Sequence, residues 1–405
     1  MASDSRAAVA RFIEYLRIKT VQPNPDYETC TAYLRQQADE LKLKFQAHEY
    51  VAGKPVVVLT WEGTEPSLPS IILNSHTDVV PVFEEFWDYP PFDAEMVPTE
   101  DGKDSRIYAR GTQDMKIVGQ CYLEAVRALQ EQGKRLRRTL HLVYVPDEEI
   151  GGHDGMSKFV ESPEFKALNA GFALDEGMAN PESTVRVFYG ERAPCWVKFR
   201  ARGNVGHGSQ FIENTAAEKL TPIISHLMQF RQEQFDIFKT PNADGSARTL
   251  GDVTTTNLTL LESGVQQNVV PESALAGFDI RMTPSIDYQE FRQGLEDLGK
   301  KHGVEVEFTQ FWGDNTLTST DESNPFWTAF KGAVDGLGVE VFKEIFPAAT
   351  DSRYLRRAGV PALGVTPLAN APILLHDHNE FVTRNEYLDG IGFYITVIQA
   401  VANVK

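Results

Sequence analysis

Acidic residues and histidines recur in this chain at one kind of place, just after an apolar strand-like run or in a Gly- and Pro-rich turn. Five segments follow this pattern: SIILNSHTDVV (70–80), YARGTQDMK (108–116), LVYVPDEEIGG (142–152), FALDEG (172–177) and ILLHDHNE (373–380). In an open α/β sheet, ligands bind at the edge formed by the carboxyl ends of the strands. The pattern therefore favours an α/β fold that collects these residues at one sheet edge.

Residues of metal-ligand type dominate the collected set. Its members are His76, Asp78, Asp114, Glu148, Glu149, Glu176 and His376. So many carboxylates share a pocket only if cations neutralise them or some stay protonated. The two histidines indicate zinc, and the surplus of ligands indicates two metal ions. The pattern predicts a metal-dependent hydrolase.

Alternation of strand-like and helical segments supports the α/β prediction. Apolar residues recur at helical spacing in 5–18 and 115–133, with β-branched runs between and after them. After residue 192 the order becomes β-α-β-β-α-β, which is typical of a ferredoxin-like unit. We therefore predict a mixed-sheet catalytic domain from residues 1–191 and 312–405, with residues 192–311 as an inserted α+β domain.

Composition excludes several classes of partner. The net charge of −18 argues against binding to nucleic acid or to an anionic membrane, since both would repel the chain. Cys30, Cys121 and Cys195 form no CxxC pair, so neither a disulfide framework nor a thiolate zinc site is indicated. The N-terminal segment reads as an amphipathic helix, and no apolar run is long enough to cross a membrane. We expect a cytoplasmic protein.

Each motif also has a structural interpretation. His76 and Asp78 form an H-x-D step in which the aspartate holds the second ring nitrogen of the histidine, or a plain turn with a capping aspartate. Asp114 could bridge two metals or cap the helix that follows. Glu148 and Glu149 could divide the roles of general base and ligand, because adjacent side chains on an extended backbone diverge, or they could form a solvated acidic turn.

The remaining candidates are weaker on residue type alone. In the last segment, His378 and Asp377 compete with His376 as the ligand. His207, in the Gly-rich turn GNVGHGSQF, could stabilise an oxyanion or be an ordinary loop histidine. Arg281 is a plausible fork for a substrate carboxylate or a surface ion pair.

The motifs together resemble the M20 family of co-catalytic zinc peptidases and deacylases. HTD, ARGxxDMK, DEEIGG, DEG and a late H-x-x-x-E stand in the order of that family. The segments VFYGERAPCW, FIENTAAEKL, NVVPES, PAATDSRYLRRAGVPALG and LLHDHNE are similar to its cytosolic aminoacylase branch. The similarity extends over essentially the whole chain, with two departures: Cys195 stands where tryptophan is expected, and the sequence after Glu380 diverges.

This resemblance implies two zinc ions per chain and assigns their ligands. One zinc would be held by His76, Asp114 and Glu176. The other would be held by Asp114, Glu149 and His376, so that Asp114 bridges the pair. The spacing in HDHNE favours His376 over His378.

The resemblance also implies the catalytic and substrate-binding roles. Glu148 would be general base and acid, and Asp78 would orient the first histidine ligand. The inserted domain would act as a lid and mediate a homodimer, sending His207 into the active site of the partner subunit as an oxyanion donor. Asn268 and Arg281, with help from Thr350, would bind the substrate carboxylate.

The function implied is hydrolysis of N-acyl-L-amino acids, such as N-acetyl-L-methionine, to a carboxylate and a free L-amino acid. A dipeptidase or another deacylase, such as the N-acetyl-ornithine type, is the nearest alternative within the family. A non-catalytic binding protein of the same fold is the alternative from another class, and it would be expected to lack a ligand or the base. Every expected position is filled here.

Overall fold

The computed structural model describes residues 5–243 and 245–405, which form two compact units. Unit 1 comprises the described residues up to Tyr189 together with Thr318–Lys343 and Thr350–Lys405. Unit 2 comprises Gly190–Leu317 and Glu344–Ala349. The segment Glu344–Ala349 joins unit 2 through Arg192, whose guanidinium donates to the carbonyl of Pro347 at 2.8 Å.

The elements are numbered in chain order. The helices are α1 Ser5–Leu16, α2 Tyr27–Leu41, α3 Lys116–Glu131, α4 Met156–Phe159, α5 Pro163–Ala167, α6 Ala216–Lys239, α7 Tyr288–His302, α8 Pro325–Gly336, α9 Ser352–Arg357 and α10 Arg384–Val401. The strands are β1 Lys44–Glu49, β2 Pro55–Trp61, β3 Ser70–His76, β4 Glu95–Pro98, β5 Ser105–Tyr108, β6 Leu140–Val145, β7 Ala170–Asp175, β8 Val185–Glu191, β9 Ala193–Arg202, β10 Gly206–His207, β11 Thr255–Ser263, β12 Val269–Val270, β13 Ser273–Met282, β14 Glu305–Phe311, β15 Val341–Phe346, β16 Ala362–Val365 and β17 Phe381–Thr383.

The main sheet is mixed, with strand order β1-β2-β6-β3-β7-β16-β8-β15. At its centre β6, β3 and β7 are neighbours and run parallel. Every residue of β3 and β6 is buried, as expected for central strands covered on both faces. The carboxyl ends of these three strands therefore lie at the same edge, as the sequence pattern predicted.

Helix α3 packs closely against β3 in unit 1. A Cβ added at Gly119 of this helix would lie 2.7 Å from Ser75 Oγ, so glycine permits the close approach. The helix begins after Met115, and no side chain caps it, so the proposed capping role of Asp114 is not observed. The carboxylate of Asp114 is therefore available for another role.

A small antiparallel sheet, β17-β5-β4, explains how two distant loops meet in unit 1. Phe381 of β17 pairs with Tyr108 of β5, and Ala109 N–H donates to the carbonyl of Glu380 at 3.1 Å. The loop after β5 carries Asp114, and the loop before β17 carries His376. Strand pairing thus brings together residues that lie more than 250 positions apart.

Unit 2 contains a four-stranded antiparallel sheet of order β11-β13-β9-β14. With α6 after β9 and α7 after β13, the chain order is β-α-β-β-α-β, as predicted. A separate two-stranded ladder pairs β10 with β12 and sets His207 opposite Val269. Unit 2 has its own apolar core, formed by the inner faces of its sheet and helices.

In the part of the chain that the structure describes, no helix combines the length and apolar character needed to cross a membrane.

Candidate metal centre

Three parallel strands deliver the first group of predicted ligands to one sheet edge. His76 is the last residue of β3, Glu148 and Glu149 follow β6, and Glu176 follows β7. His76 pairs in register with Val145, the last residue of β6. The group arises because neighbouring parallel strands end at the same edge.

Asp114 lies between two imidazoles and presents one carboxylate oxygen to each. Its Oδ1 is 3.1 Å from His76 Nε2, and its Oδ2 is 3.0 Å from His376 Nε2. His76 Nε2 is also 3.0 Å from Glu176 Oε2, and His376 Nε2 is 3.1 Å from Glu149 Oε2. Each ring nitrogen therefore faces two carboxylates, one of which is shared.

This arrangement fits metal binding better than it fits hydrogen bonds alone. One imidazole nitrogen carries at most one proton and cannot satisfy two carboxylates. Glu149 Oε1 is buried without a hydrogen-bond partner among the described residues. Ligand atoms of His76, Asp114 and Glu149 lie within 4.8 Å of one another, and so do those of His76, Glu148 and Glu176. Imidazole and carboxylate donors in this proportion suit zinc.

The pKa shifts of the clustered carboxylates also favour a bound cation. Burial, followed by the charge of Glu176, raises the pKa of Glu148 well above its usual range. Burial and then the charge of Asp114 raise the pKa of Glu149 to about 7. Burial opposes ionisation of Asp114, but hydrogen bonds from the two histidines hold its pKa below the usual range. A divalent cation would favour the charged form of every carboxylate here.

Asp78 holds His76 differently from the prediction. His76 Nδ1 donates to the backbone carbonyl of Asp78 at 2.9 Å, whereas the carboxylate is 3.7 Å away. That bond leaves Nε2 of His76 free to act as a ligand. The Asp78 carboxylate instead accepts the amide N–H groups of Glu148 at 3.1 Å and Glu149 at 3.3 Å. The prediction that the Asp78 carboxylate would hydrogen-bond the His76 ring was wrong. Asp78 lies beyond the end of β3, where the alternation of side chains along a strand no longer holds.

Glu148 and Glu149 do not lie on an extended backbone either. Glu148–Ile150 forms one 3-10 turn, preceded by Asp147 with φ 63°. Within the cluster, Glu148 groups with His76 and Glu176, and Glu149 groups with His76 and Asp114. The prediction of an extended backbone was wrong, and the division of roles between the two glutamates stays a prediction.

His376 points into the centre, and its neighbours do not. The His376 backbone has φ 63°, a conformation that non-glycine residues seldom adopt. His378 packs against Phe86, with ring centroids 5.2 Å apart. Asp377 accepts the N–H of His378 at 2.8 Å. Of the three candidates in this loop, only His376 contacts the other ligands.

Thr350 is buried in unit 1, and its hydroxyl accepts the N–H of Ser352 at 3.2 Å. The next residue, Asp351, was missed in the sequence. Its side chain is buried and neither oxygen has a hydrogen-bond partner among the described residues. Burial, followed by the charge of Asp175, raises its pKa well above the usual range. The motif TDSR contains no spacing that signals such a residue.

The remaining predicted residues lie in unit 2. His207 is exposed, with Nδ1 2.8 Å from Ser209 Oγ. Asn268 immediately precedes β12 and lies close to His207, since the Asn268 carbonyl accepts the N–H of Gly208 at 2.8 Å. The structure thus brings these two predicted residues together within unit 2.

Arg281 lies on β13 and Cys195 on the neighbouring strand β9 of the same sheet in unit 2. The Arg281 guanidinium pairs with Asp279 at 2.8 Å and is half-buried. An ion pair was one of the two roles that the sequence left open for Arg281. Cys195 is fully buried in the unit 2 core, where burial raises the pKa of its thiol to about 12. A buried, protonated thiol serves packing here.

Comparison with known proteins identifies the family. Residues 72–400 match the model of Peptidase family M20/M25/M40. Aminoacylase-1 of Mus musculus is 50% identical over 402 residues, covering 98% of this chain and 96% of that protein. Aminoacylase-1 of Homo sapiens is 47% identical over 406 residues, covering 99% of this chain and 97% of that protein.

Solved structures agree on the fold. An M20 family metallo-carboxypeptidase from Sulfolobus solfataricus superposes with a TM-score of 0.74 at 19% identity, covering 98% of this chain and 99% of its own. A dinuclear metal binding peptidase of the M20 family from Bacillus subtilis gives 0.68 at 16% identity, covering 99% and 100%. The family match and the high identity of the relatives lead to one conclusion: this chain belongs to the M20 peptidase family and is a metal-dependent amidohydrolase.

Proposed function

We propose that this chain is an aminoacylase, which hydrolyses N-acyl-L-amino acids to a carboxylate and a free L-amino acid at a centre of two zinc ions. The observation that carries the proposal is the position of Asp114, with one oxygen toward each histidine. The high identity to relatives named aminoacylase-1 supports the substrate class. Dipeptidases share the fold at 15% identity, a level that supports the fold alone.

The described side chains divide into two ligand sets. His76 and Glu176 would hold one zinc, and His376 and Glu149 the other, with Asp114 shared. When bound, the zinc pair polarises the scissile carbonyl and lowers the pKa of a water molecule toward 7. The protein contributes the rigid strand ends and turns that hold these side chains in place.

Glu148 is the proton carrier in this proposal. It belongs to the same cluster as His76 and Glu176 but is not needed in either ligand set. A carboxylate oxygen of Glu148 takes the proton from the attacking water and then passes it to the leaving nitrogen. Since the general base must later act as an acid, a pKa raised by its buried surroundings suits the role.

His207 is proposed to donate to the oxyanion from the partner subunit of a homodimer formed through unit 2. Its exposed ring on the short β10–β12 ladder is available to a second chain. Asn268, Arg281 and Thr350 are proposed to bind the substrate carboxylate. The planar guanidinium of Arg281 can donate two parallel hydrogen bonds to a carboxylate. For this role the substrate would displace Asp279, its half-exposed partner in the ion pair.

The first experiment is hydrolysis of N-acetyl-L-methionine before and after chelation, with zinc then restored. We expect chelation to remove activity and zinc to restore it. N-acetyl-L-ornithine and a panel of dipeptides serve as comparators. A zinc-loaded protein that cleaves dipeptides and leaves N-acetyl-L-methionine intact would replace the aminoacylase proposal with a dipeptidase.

Glu148→Gln tests the proton carrier. This variant keeps the shape of the side chain but cannot accept a proton, so we expect kcat to fall by about 10²- to 10⁴-fold with zinc content unchanged. Glu161→Gln is the matched control, because that side chain is exposed and its contact with Arg357 is 3.7 Å. Normal turnover by Glu148→Gln would refute the mechanism.

Mixing two inactive variants tests whether His207 acts in the partner subunit. In a heterodimer of Glu148→Gln and His207→Ala chains, one of the two active sites keeps both residues intact. We therefore expect partial recovery of activity on mixing. Absence of recovery in a preparation shown to contain heterodimers would contradict action in the partner.

A further inference from the structure

The turn that carries Glu148 and Glu149 is held by carboxylates on two sides. Asp78 accepts both amide N–H groups of these glutamates. Asp147 precedes them with φ 63° and a side chain that is 2% exposed. This backbone conformation is uncommon outside glycine, and Asn and Asp adopt it more readily than other residues. Asp78 and Asp147 thus flank the turn that carries both glutamates.

Two side chains from the start of the chain bind Asp147. The hydroxyl of Tyr27 donates to Asp147 Oδ1 at 2.7 Å and accepts the backbone N–H of Asp147 at 3.0 Å. Gln22 Nε2 reaches Asp147 Oδ1 at 3.1 Å and Asp78 Oδ2 at 2.9 Å. Gln22 thus connects the two carboxylates that hold the turn, and Tyr27 fixes both the backbone and the side chain of Asp147.

Lys54 closes the loop that follows the turn. Its ammonium group pairs with Asp147 and also with Asp154, the latter at 2.8 Å. One cation therefore binds both ends of the segment 147–154. Within this segment Gly152 N–H donates to the carbonyl of Asp147 at 2.7 Å, which folds the chain back on itself.

We propose that Gln22, Tyr27 and Lys54 are positioning residues for the reaction. Resting on the function proposed for Glu148, this inference holds that the three side chains keep the turn in the one conformation that aims Glu148 at the substrate and Glu149 at the metal. Residues that orient a metal site from outside it change affinity or activity by about 10- to 100-fold. Their sequence, QPNPDY and GKP, carries no motif that assigns them a role.

Tyr27→Phe is the central test, and Tyr33→Phe is its matched control. Both tyrosines lie on α2 and are 5% exposed. The Tyr33 hydroxyl also lies within hydrogen-bond distance of two oxygens, Arg11 O at 3.0 Å and Gln120 Oε1 at 2.8 Å. Either change removes one buried hydroxyl from the same helix, but only Tyr27 contacts the turn.

In zinc-loaded protein, we expect Tyr27→Phe to lower kcat by about 10- to 100-fold and to change KM by less than about 3-fold. Tyr33→Phe should keep kcat within about 2-fold of wild type, and both variants should have similar thermal midpoints. A purely structural role for Tyr27 predicts the same kcat for both variants at a lower thermal midpoint. That result would overturn the proposal.

Hydrogen exchange provides a measurement that does not depend on activity. Peptides covering residues 146–152 should exchange faster in metal-free Tyr27→Phe than in metal-free wild type, with no change in Tyr33→Phe. Unaltered exchange in Tyr27→Phe would refute the positioning role. Should wild type fail to hydrolyse any N-acyl amino acid, the proposed function fails, while the exchange data still decide whether the turn is held by these residues.

Lys54 supplies a second pair of variants if Tyr27→Phe does not fold. Lys54→Met removes the cation and keeps much of the side-chain volume, whereas Lys54→Arg keeps the charge. We expect Lys54→Met to lower kcat by about 10-fold or more and Lys54→Arg to regain most of it. Equal activity in the two variants would count against positioning by Lys54.

Discussion

At the residue scale, the buried carboxylate of Glu380 accepts several hydrogen bonds from the loop that follows β5. It is fully buried and accepts the backbone N–H groups of Gly111 at 3.1 Å and Gln113 at 2.6 Å. Its Oε2 also accepts from the Arg110 guanidinium at 2.8 Å. Glu380, which stands four residues after the proposed ligand His376, therefore shapes the loop that ends at Asp114. The sequence contained Glu380 in a family pattern but gave no sign of this role.

Removing this carboxylate should destabilise unit 1. Glu380→Ala would leave the Arg110 guanidinium buried without a counter-charge, at a cost of about 3–5 kcal/mol in the free energy of unfolding. Urea denaturation of chelated protein measures this change without a contribution from metal. Glu65→Ala is the control, because Glu65 forms an exposed pair with Arg137, and such surface pairs contribute little to stability. Equal losses in both variants would contradict this interpretation.

At the scale of elements, β6 carries a buried histidine that is not one of the candidate ligands. His141 is buried, and its Nδ1 lies 2.9 Å from Thr60 Oγ1 on the neighbouring β2. Burial lowers the pKa of His141 from 6.5 to about 4. The unfolded chain thus binds a proton between these pH values that the folded protein does not accept.

This difference sets the direction of a pH dependence. Since the unfolded state binds more protons between pH 6.5 and 4, the contribution of His141 is fully present above pH 6.5 and is lost as pH falls toward 4. The loss should reach about 3 kcal/mol. Urea denaturation of chelated His141→Gln should show a flatter pH profile over this range, whereas His226→Gln, at an exposed position on α6, should follow wild type. Parallel profiles would refute the shift.

At the scale of the whole molecule, the described residues form two separate apolar cores. All five proposed ligands, His76, Asp114, Glu149, Glu176 and His376, belong to unit 1. A ligand that binds only the folded state stabilises it by about 4 kcal/mol at a thousand times its Kd. Zinc should therefore slow hydrogen exchange in the core peptides of unit 1 and leave those of unit 2 unchanged. Equal protection in β9 and β3 would contradict this assignment.

The order of elements was readable from the sequence because apolar periodicity is local. The runs LHLVYV and SIILNS predicted β6 and β3, and the β-α-β-β-α-β order of unit 2 was predicted as observed. We predicted an inserted domain of residues 192–311, and these boundaries stay a proposal. The compact unit 2 of the structure comprises Gly190–Leu317 and Glu344–Ala349. The short strands β4, β5 and β17 escaped prediction, since three or four residues carry too little pattern.

The sequence alone determined the types of the candidate ligands, and it placed His76, Glu149 and Glu176 at or just after strand ends. Only the tertiary structure decided which atoms meet: Asp114 between His76 and His376, and Asp78 against the amides of the 148–149 turn. It also decided that Gln22, Tyr27 and Lys54 converge on Asp147. Periodicity reports which face of an element is buried, but hydrogen bonds between residues distant in the sequence depend on strand order and loop paths. Those are properties of the whole fold.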